Sequence, residues 1–237
     1  MDRKFRICRI WSNKELKKFA SLFRGNVINV SAWQDKDKEG FYYKDYFINA
    51  DKYYLSNYKK ETRGFQGYKD EIFLDLEKEL DKNLVNKFNV VFNHTTLEHI
   101  YDFKTAFKNL CLLTKDIVIL VVPFLQQMHA EYGDYWRFTP LAIKRMFEEN
   151  DMTVLHSSFN NYKRSSVYLF FIASKNPEKW KDRIFNEFSY KYKKDPLDHF
   201  GNYVGCRAII NSWLYRINSV LKIAIFKILR SIFKNKK

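Results

Sequence analysis

The chain has 237 residues, 46% of them hydrophobic and 18% aromatic, enough for one sizeable α/β core and far too many for a disulfide-stapled miniprotein. A formal net charge of +15 invites a polyanionic partner, yet the charge is concentrated at the two ends. Residues 1–24 carry eight basic and two acidic side chains and residues 199–237 carry eight basic and none acidic, which leaves a nearly neutral middle of 26 basic against 25 acidic.

Met1 to Trp11 is studded with Asp2, Arg3, Lys4, Arg6 and Arg9 and has no apolar h-region, so no secretory signal is expected and a cytoplasmic location is. Ser12, with Glu15 three residues on and then Leu16, Phe19, Ala20 and Phe23, reads as a capping box opening a short amphipathic helix that Gly25 closes. Asn26 to Val30 is a β-branched strand, followed by a polar loop from Ser31 to Gly40. Tyr53–Asn57, Glu71–Leu76 and Phe88–Asn93 are further strands, and Ile117–Val122 is an uninterrupted apolar run of the kind buried on both faces of a parallel sheet. Between the last two, Phe103, Ala106, Phe107, Leu110 and Leu113 recur at helical spacing behind an Asp102 cap, completing a βαβ unit.

Thr139-Pro140 starts another helix running to about Asn150, and strands at Met152–His156 and Val167–Ala173 close the order as an antiparallel hairpin. The expected fold is therefore α/β, a Rossmann-like doubly wound, mostly parallel sheet with a reversed terminal strand and its ligand crevice at the carboxyl ends of the early strands. Cys8, Cys111 and Cys206 form no CxxC pair and read as packing thiols, and no metal site is expected. The tail contributes a C-terminal amphipathic helix. Ile210, Trp213, Leu214, Ile217, Val220, Leu221, Ala224, Ile225, Ile228 and Ile232 fall on one face, with Arg216, Lys222 and Arg230 opposite. Arg216, Lys222, Lys227 and Arg230 interrupt the apolar stretch Ala208–Phe233, so an anionic membrane surface, rather than a spanning helix, is the expected partner. Packing on the body or on another subunit is the alternative. Nucleic acid is not expected, because the charge is interleaved with aliphatic residues and no nucleic-acid motif accompanies it.

Two segments carry a family resemblance: Phe88–Ile100, which ends Asn93-His94-Thr95-Thr96-Leu97-Glu98-His99, and His129–Pro140, which contains Asp134-Tyr135-Trp136-Arg137-Phe138-Thr139. Together they resemble class I S-adenosylmethionine-dependent methyltransferases, most closely the glycan-cluster branch of the type-11 group. The likeness divides the chain into a basic N-terminal helical segment (1–24), a methyltransferase-like domain (25–176), a linker (177–206) and the amphipathic helix (207–237). It implies methyl transfer to a sugar or related small acceptor in cell-surface polysaccharide synthesis. For the cofactor, S-adenosyl-L-methionine, it implies Ser31, Ala32 and Trp33 beside the methionine portion and Asn57 at the ribose. Asp75 and Leu76 would lie at the adenine, with Asn93 and His94 at the end of the fourth strand.

For catalysis, His129, His94 and His99 are candidate bases because imidazole titrates near neutrality, and His129 is preferred for its polar loop beyond a strand end. His99 also reads as a structural contact. Asp134 is a candidate for orienting a histidine or a sugar hydroxyl, and Tyr135, Trp136 and Arg137 for a stacking face and charge clamp; Trp136 and Phe138 equally read as core aromatics. The departure from the family is the first loop, where Ser31-Ala32-Trp33 replaces glycines that elsewhere supply positive φ and close approach. Trp33 is positioned to fill the pocket, and Asn57 lacks the charge of the usual acid. Weakened or lost cofactor binding is therefore expected, and with it the alternative of an inactive, membrane-docked interaction protein.

Overall fold

The computed structural model describes residues 3–59, 64–129, 133–160, 162, 165–184, 188–190 and 203–209, together with Val220, Leu221, Ala224, Ile225 and Ile228. Helix α1 (Arg3–Phe19) precedes strands β1 (Gly25–Val30), β2 (Ala50–Asn57), β3 (Glu71–Phe73) and β4 (Phe88–His94). Then come α2 (Phe103–Leu113), β5 (Thr114–Leu125), α3 (Pro140–Glu148), β6 (Thr153–Phe159), β7 (Val167–Ser174) and the short α4 (Cys206–Ile209). The seven strands form one sheet in the order β3-β2-β1-β4-β5-β7-β6. Pairing is parallel from β3 through β5, whereas β7 runs antiparallel to both β5 and β6.

The expected Rossmann-like sheet is thus present, with one refinement. The reversed strand β7 is last in the chain but lies inside the sheet, and β6 takes the edge. Every residue of β7 is buried, as an interior position requires, while β6 keeps partly exposed positions. Strand alternation explains the two core layers. On β5, Val118, Leu120 and Val122 join α2 and α3 in one layer, and Ile117, Ile119 and Val121 join α1 in the other.

Both expected caps form. The Asp102 side chain accepts from Thr105 N and that of Thr139 from Ala142 N, with Pro140 in the first helical turn. The capping box does not. Ser12 lies inside α1, which begins nine residues earlier than the sequence pattern predicts, and its Oγ donates to Arg9 O and meets His94 Nε2 at 2.8 Å. The cause is tertiary. Cys8, Leu16 and Ala20 are all buried against the sheet, so packing extends the helix through a stretch whose local pattern is mostly basic. Strand β3 stops at Phe73, short of the expected Leu76, which leaves Asp75 and Leu76 in the loop beyond it.

Of the C-terminal amphipathic helix, Ile210, Trp213, Leu214, Ile217 and Ile232 lie outside the described residues. Val220, Leu221, Ala224, Ile225 and Ile228 are helical and exposed.

Candidate functional site

The loop after β1 reaches left-handed backbone without glycine. Ser31, Trp33 and Asp35 have φ of 59°, 49° and 60°. Hydrogen bonds hold them there. The buried Asp35 carboxylate accepts from Asn29 Nδ2 at 2.7 Å, Tyr53 OH at 2.8 Å and Lys44 N at 2.9 Å, and Asp35 N donates to Ala32 O at 2.9 Å. Ala32 N donates to Ser56 O. Asn57 grips the loop from the end of β2: its Oδ1 accepts from Trp33 N at 2.6 Å, and its Nδ2 donates to Trp33 O at 3.1 Å and to Glu71 Oε1 at 2.5 Å.

This loop forms one wall of a cavity of about 500 Å³ at the carboxyl edge of β1, β2 and β4, where the strand order reverses. Ser31, Ala32, Trp33, Asn57, Asp75, Leu76 and His94 all line it, as does Tyr135. Asn93 does not. It is buried, with Nδ2 donating to Val30 O, and so ties β4 to β1. His129, Asp134 and Arg137 are likewise outside the lining.

His94 is constrained on both ring nitrogens, Nε2 by Ser12 Oγ and Nδ1 by Thr95 Oγ1 at 3.1 Å. Burial and the nearby Arg9 guanidinium hold its pKa well below the usual imidazole range, so it is neutral at physiological pH. Neighbouring Thr95 has φ of 50°, an uncommon conformation for a β-branched residue, and it too lines the cavity.

Residues 126–129 and 133–138 are organised around Asp134, whose side chain is fully buried. Its carboxylate accepts from Arg137 Nη1 at 2.5 Å, Arg137 Nη2 at 2.7 Å and His129 N at 2.7 Å. Burial alone raises this pKa, but the Arg137 and His129 hydrogen bonds outweigh it and hold the carboxyl at about 2. Arg137 donates further to the carbonyls of Gln126, Gln127 and Trp136. Asp134 and Arg137 therefore clamp each other and their own loop. The loop is latched in turn onto the turn after β4: Tyr135 N and Trp136 N donate to Glu98 O, and His99 Nδ1 lies 2.6 Å from Gly133 O. Trp136 packs on Phe103 and Phe138 is buried, so both are core aromatics.

Sequence reasoning missed several residues of the lining. Arg9 and Tyr43 enter from the α1 side of the sheet, and Lys36 and Lys38 from the first loop. His99, read as a structural contact, both makes that contact and lines the cavity. Arg9 was discoverable. A helix carried back past Ser12 places Arg9 and Ser12, three residues apart, on one face.

No family model and no curated protein sequence matches the chain. Among solved structures, a candidate methyltransferase from Bacillus halodurans is similar over 68% of this chain and 97% of its own, at 10% identity and a TM-score of 0.52. A candidate S-adenosylmethionine-dependent methyltransferase from Listeria monocytogenes follows at 14% identity, with coverages of 68% and 96% and a TM-score of 0.49. The 1,6-didemethyltoxoflavin-N1-methyltransferase of Burkholderia thailandensis is 15% identical, with coverages of 70% and 80% and a TM-score of 0.47. The Bacillus halodurans likeness, with the parallel strands and reversed β7 described above, establishes a Rossmann-like methyltransferase fold.

Proposed function

We propose that the protein is an S-adenosylmethionine-dependent methyltransferase whose cofactor occupies the cavity and whose acceptor enters beside Tyr101 and Tyr135. The observation that carries this reading is the first loop. Its residues take the left-handed conformations that glycines supply elsewhere, so the backbone approaches the cavity closely despite the altered sequence. That weighs against an inactive protein.

The residues present fit the cofactor. Ser31 and Ala32 would lie beside its methionine portion, and Asp75, partly exposed at the cavity wall, would accept from the adenine amino group beside Leu76. Asn57 spends its amide on Trp33 and Glu71, which leaves the ribose a neutral and partly committed partner. When bound, S-adenosylmethionine supplies a methyl group activated by a sulfonium. The chain's residues hold the acceptor in line; His94 and His99 are the imidazoles on the cavity wall, and His129 is in ring contact with His99.

A sugar acceptor is supported by the resemblance of the 134–140 loop and by Tyr101 and Tyr135, exposed by 69% and 53%, whose rings meet edge to face at 5.5 Å on the cavity wall. Such exposed rings offer an apolar face with a polar tip, suited to the C–H face of a pyranose. A further part of the reading is that 207–237 lies on an anionic membrane, as its exposed apolar residues and uniformly basic charge suggest.

Calorimetric titration of S-adenosylhomocysteine into the full chain tests the cofactor reading. Saturable binding is expected, weakened at least roughly tenfold in Asp75→Ala by loss of a hydrogen bond to a charged group. No heat at millimolar ligand overturns the enzyme reading.

A further inference from the structure

We propose that Glu98, His99 and His129 hold one divalent transition-metal ion at the edge of the cavity. One potential ligand atom from each of the three lies within 4.8 Å of the others. His99 Nε2 is 3.8 Å from Glu98 Oε1, and the two imidazole rings meet edge to face at a centroid distance of 4.9 Å.

Glu98 is the independent sign of a ligand. Its side chain is fully buried, and neither carboxylate oxygen has a hydrogen-bond partner among the described residues. A buried carboxylate that accepts no hydrogen bond and meets His99 Nε2 only at 3.8 Å is costly, and native interiors pair or neutralise such groups. Its backbone carbonyl anchors Tyr135 and Trp136, so the backbone that carries it is held while the carboxylate oxygens make no hydrogen bond. A cation bound between Glu98 and the histidines satisfies them.

The outer contacts match what metal-bound histidines need. His99 Nδ1 is 2.6 Å from Gly133 O and His129 Nδ1 is 3.3 Å from Asp134 Oδ2. The Gly133 carbonyl at His99 Nδ1 fixes that tautomer with the proton there and directs the Nε2 lone pair to the metal, while His129 Nδ1 also has Gln126 Nε2 at 3.4 Å. Two imidazoles and one carboxylate suit zinc or another first-row divalent ion and leave coordination positions open. Atoms ligating one such ion sit roughly 3–3.5 Å apart, so the three must close by about an ångström. His129, whose side chain is 36% exposed, has room to turn.

His99 belongs to the cavity wall, so a ligand completing the shell comes from the cavity. On the methyltransferase reading, on which this last step rests, that ligand is the acceptor hydroxyl. The ion lowers its pKa and its proton leaves to solvent. The oxygen–methyl bond then forms as the sulfur–methyl bond breaks, releasing S-adenosylhomocysteine.

The test is titration of chelator-treated full-length protein with cobalt(II) chloride, followed by its visible d–d bands and by competition with zinc(II). One equivalent is expected to bind without the thiolate charge-transfer band that a cysteine site gives. Glu98→Gln and His129→Ala should each weaken binding by at least about 10–100-fold, more than loss of an outer-shell partner does. His156→Ala, at a histidine paired with Glu15 elsewhere, should leave it unchanged. Should Glu98→Gln fail to fold, the half-exposed His129→Ala decides. Absence of binding at millimolar cobalt, a thiolate band, or unchanged affinity in His129→Ala overturns the proposal. S-adenosylhomocysteine binding in the same preparations separates the two readings. Binding of that ligand without cobalt sinks the metal site alone, and the reverse result sinks the cofactor assignment alone.

Discussion

Ser31 is a non-glycine residue in a conformation that costs an L-residue roughly 1–2 kcal/mol, and it does not stand alone. Ser31, Trp33 and Thr95, three of the six described non-glycine residues with positive φ, line the cavity. Strain of this kind persists only where surrounding contacts over-determine it, which here means the Asp35 and Asn57 networks. Relieving it without touching those contacts should stabilise the protein. Ser31→Gly is expected to raise stability by about 0.5–1 kcal/mol, the left-handed penalty less the extra chain entropy of glycine. Urea unfolding at pH 7 measures this, and an unchanged or lowered midpoint would show that Ser31 carries no strain. The same substitution should leave S-adenosylhomocysteine binding intact, because the close approach of the backbone is preserved.

At the level of elements, what could be read from the sequence follows from how local each determinant is. Strand β5 stood out because burial on both faces demands an unbroken apolar run, and α2 and α3 because Asp102 and Thr139 cap them through their own side chains. Helix α1 was misplaced because its first half is stabilised by the sheet it covers, which no local pattern records. The site divides in the same way. Ser31, Asn57, Asp75 and His94 follow from strand ends, whereas Arg9, Tyr43 and the burial of Glu98 depend on how distant segments meet. Gly25 was also read through the wrong element. Its φ of +84° turns the chain into β1, and a Cβ there would overlap Asn89 Oδ1, the acceptor that clips Asn26 N of β1 to β4 at 2.9 Å. Gly25→Ala therefore combines a left-handed penalty with loss of that clip, and about 1–3 kcal/mol of destabilisation is expected. A urea midpoint equal to that of the parent would refute this account of the β1–β4 junction.

For the whole molecule, the charge is uneven, with eight basic and no acidic side chains in residues 199–237. Among the described residues no helix is long and apolar enough to cross a membrane. The last described turn before the tail packs against the far end of β5: a Cβ on Gly205 would meet the side chains of Leu125 and Phe124. The far end of β5 is the carboxyl edge, the same edge at which the cavity lies. Val220, Leu221, Ala224, Ile225 and Ile228 fall on one helical face and are exposed, and flotation tests whether lipid covers that face. The full chain should float with vesicles containing phosphatidylserine and fail to do so with purely zwitterionic ones, while a chain lacking 207–237 should stay at the bottom of the gradient with both. Raising the salt should weaken flotation, because each Lys or Arg near the surface contributes about 1 kcal/mol that is screened within a Debye length. Equal flotation of the truncated chain would place the membrane contact elsewhere. Concentration-dependent dimerisation lost on truncation, with no flotation of the full chain, would assign the exposed apolar face to a second subunit instead.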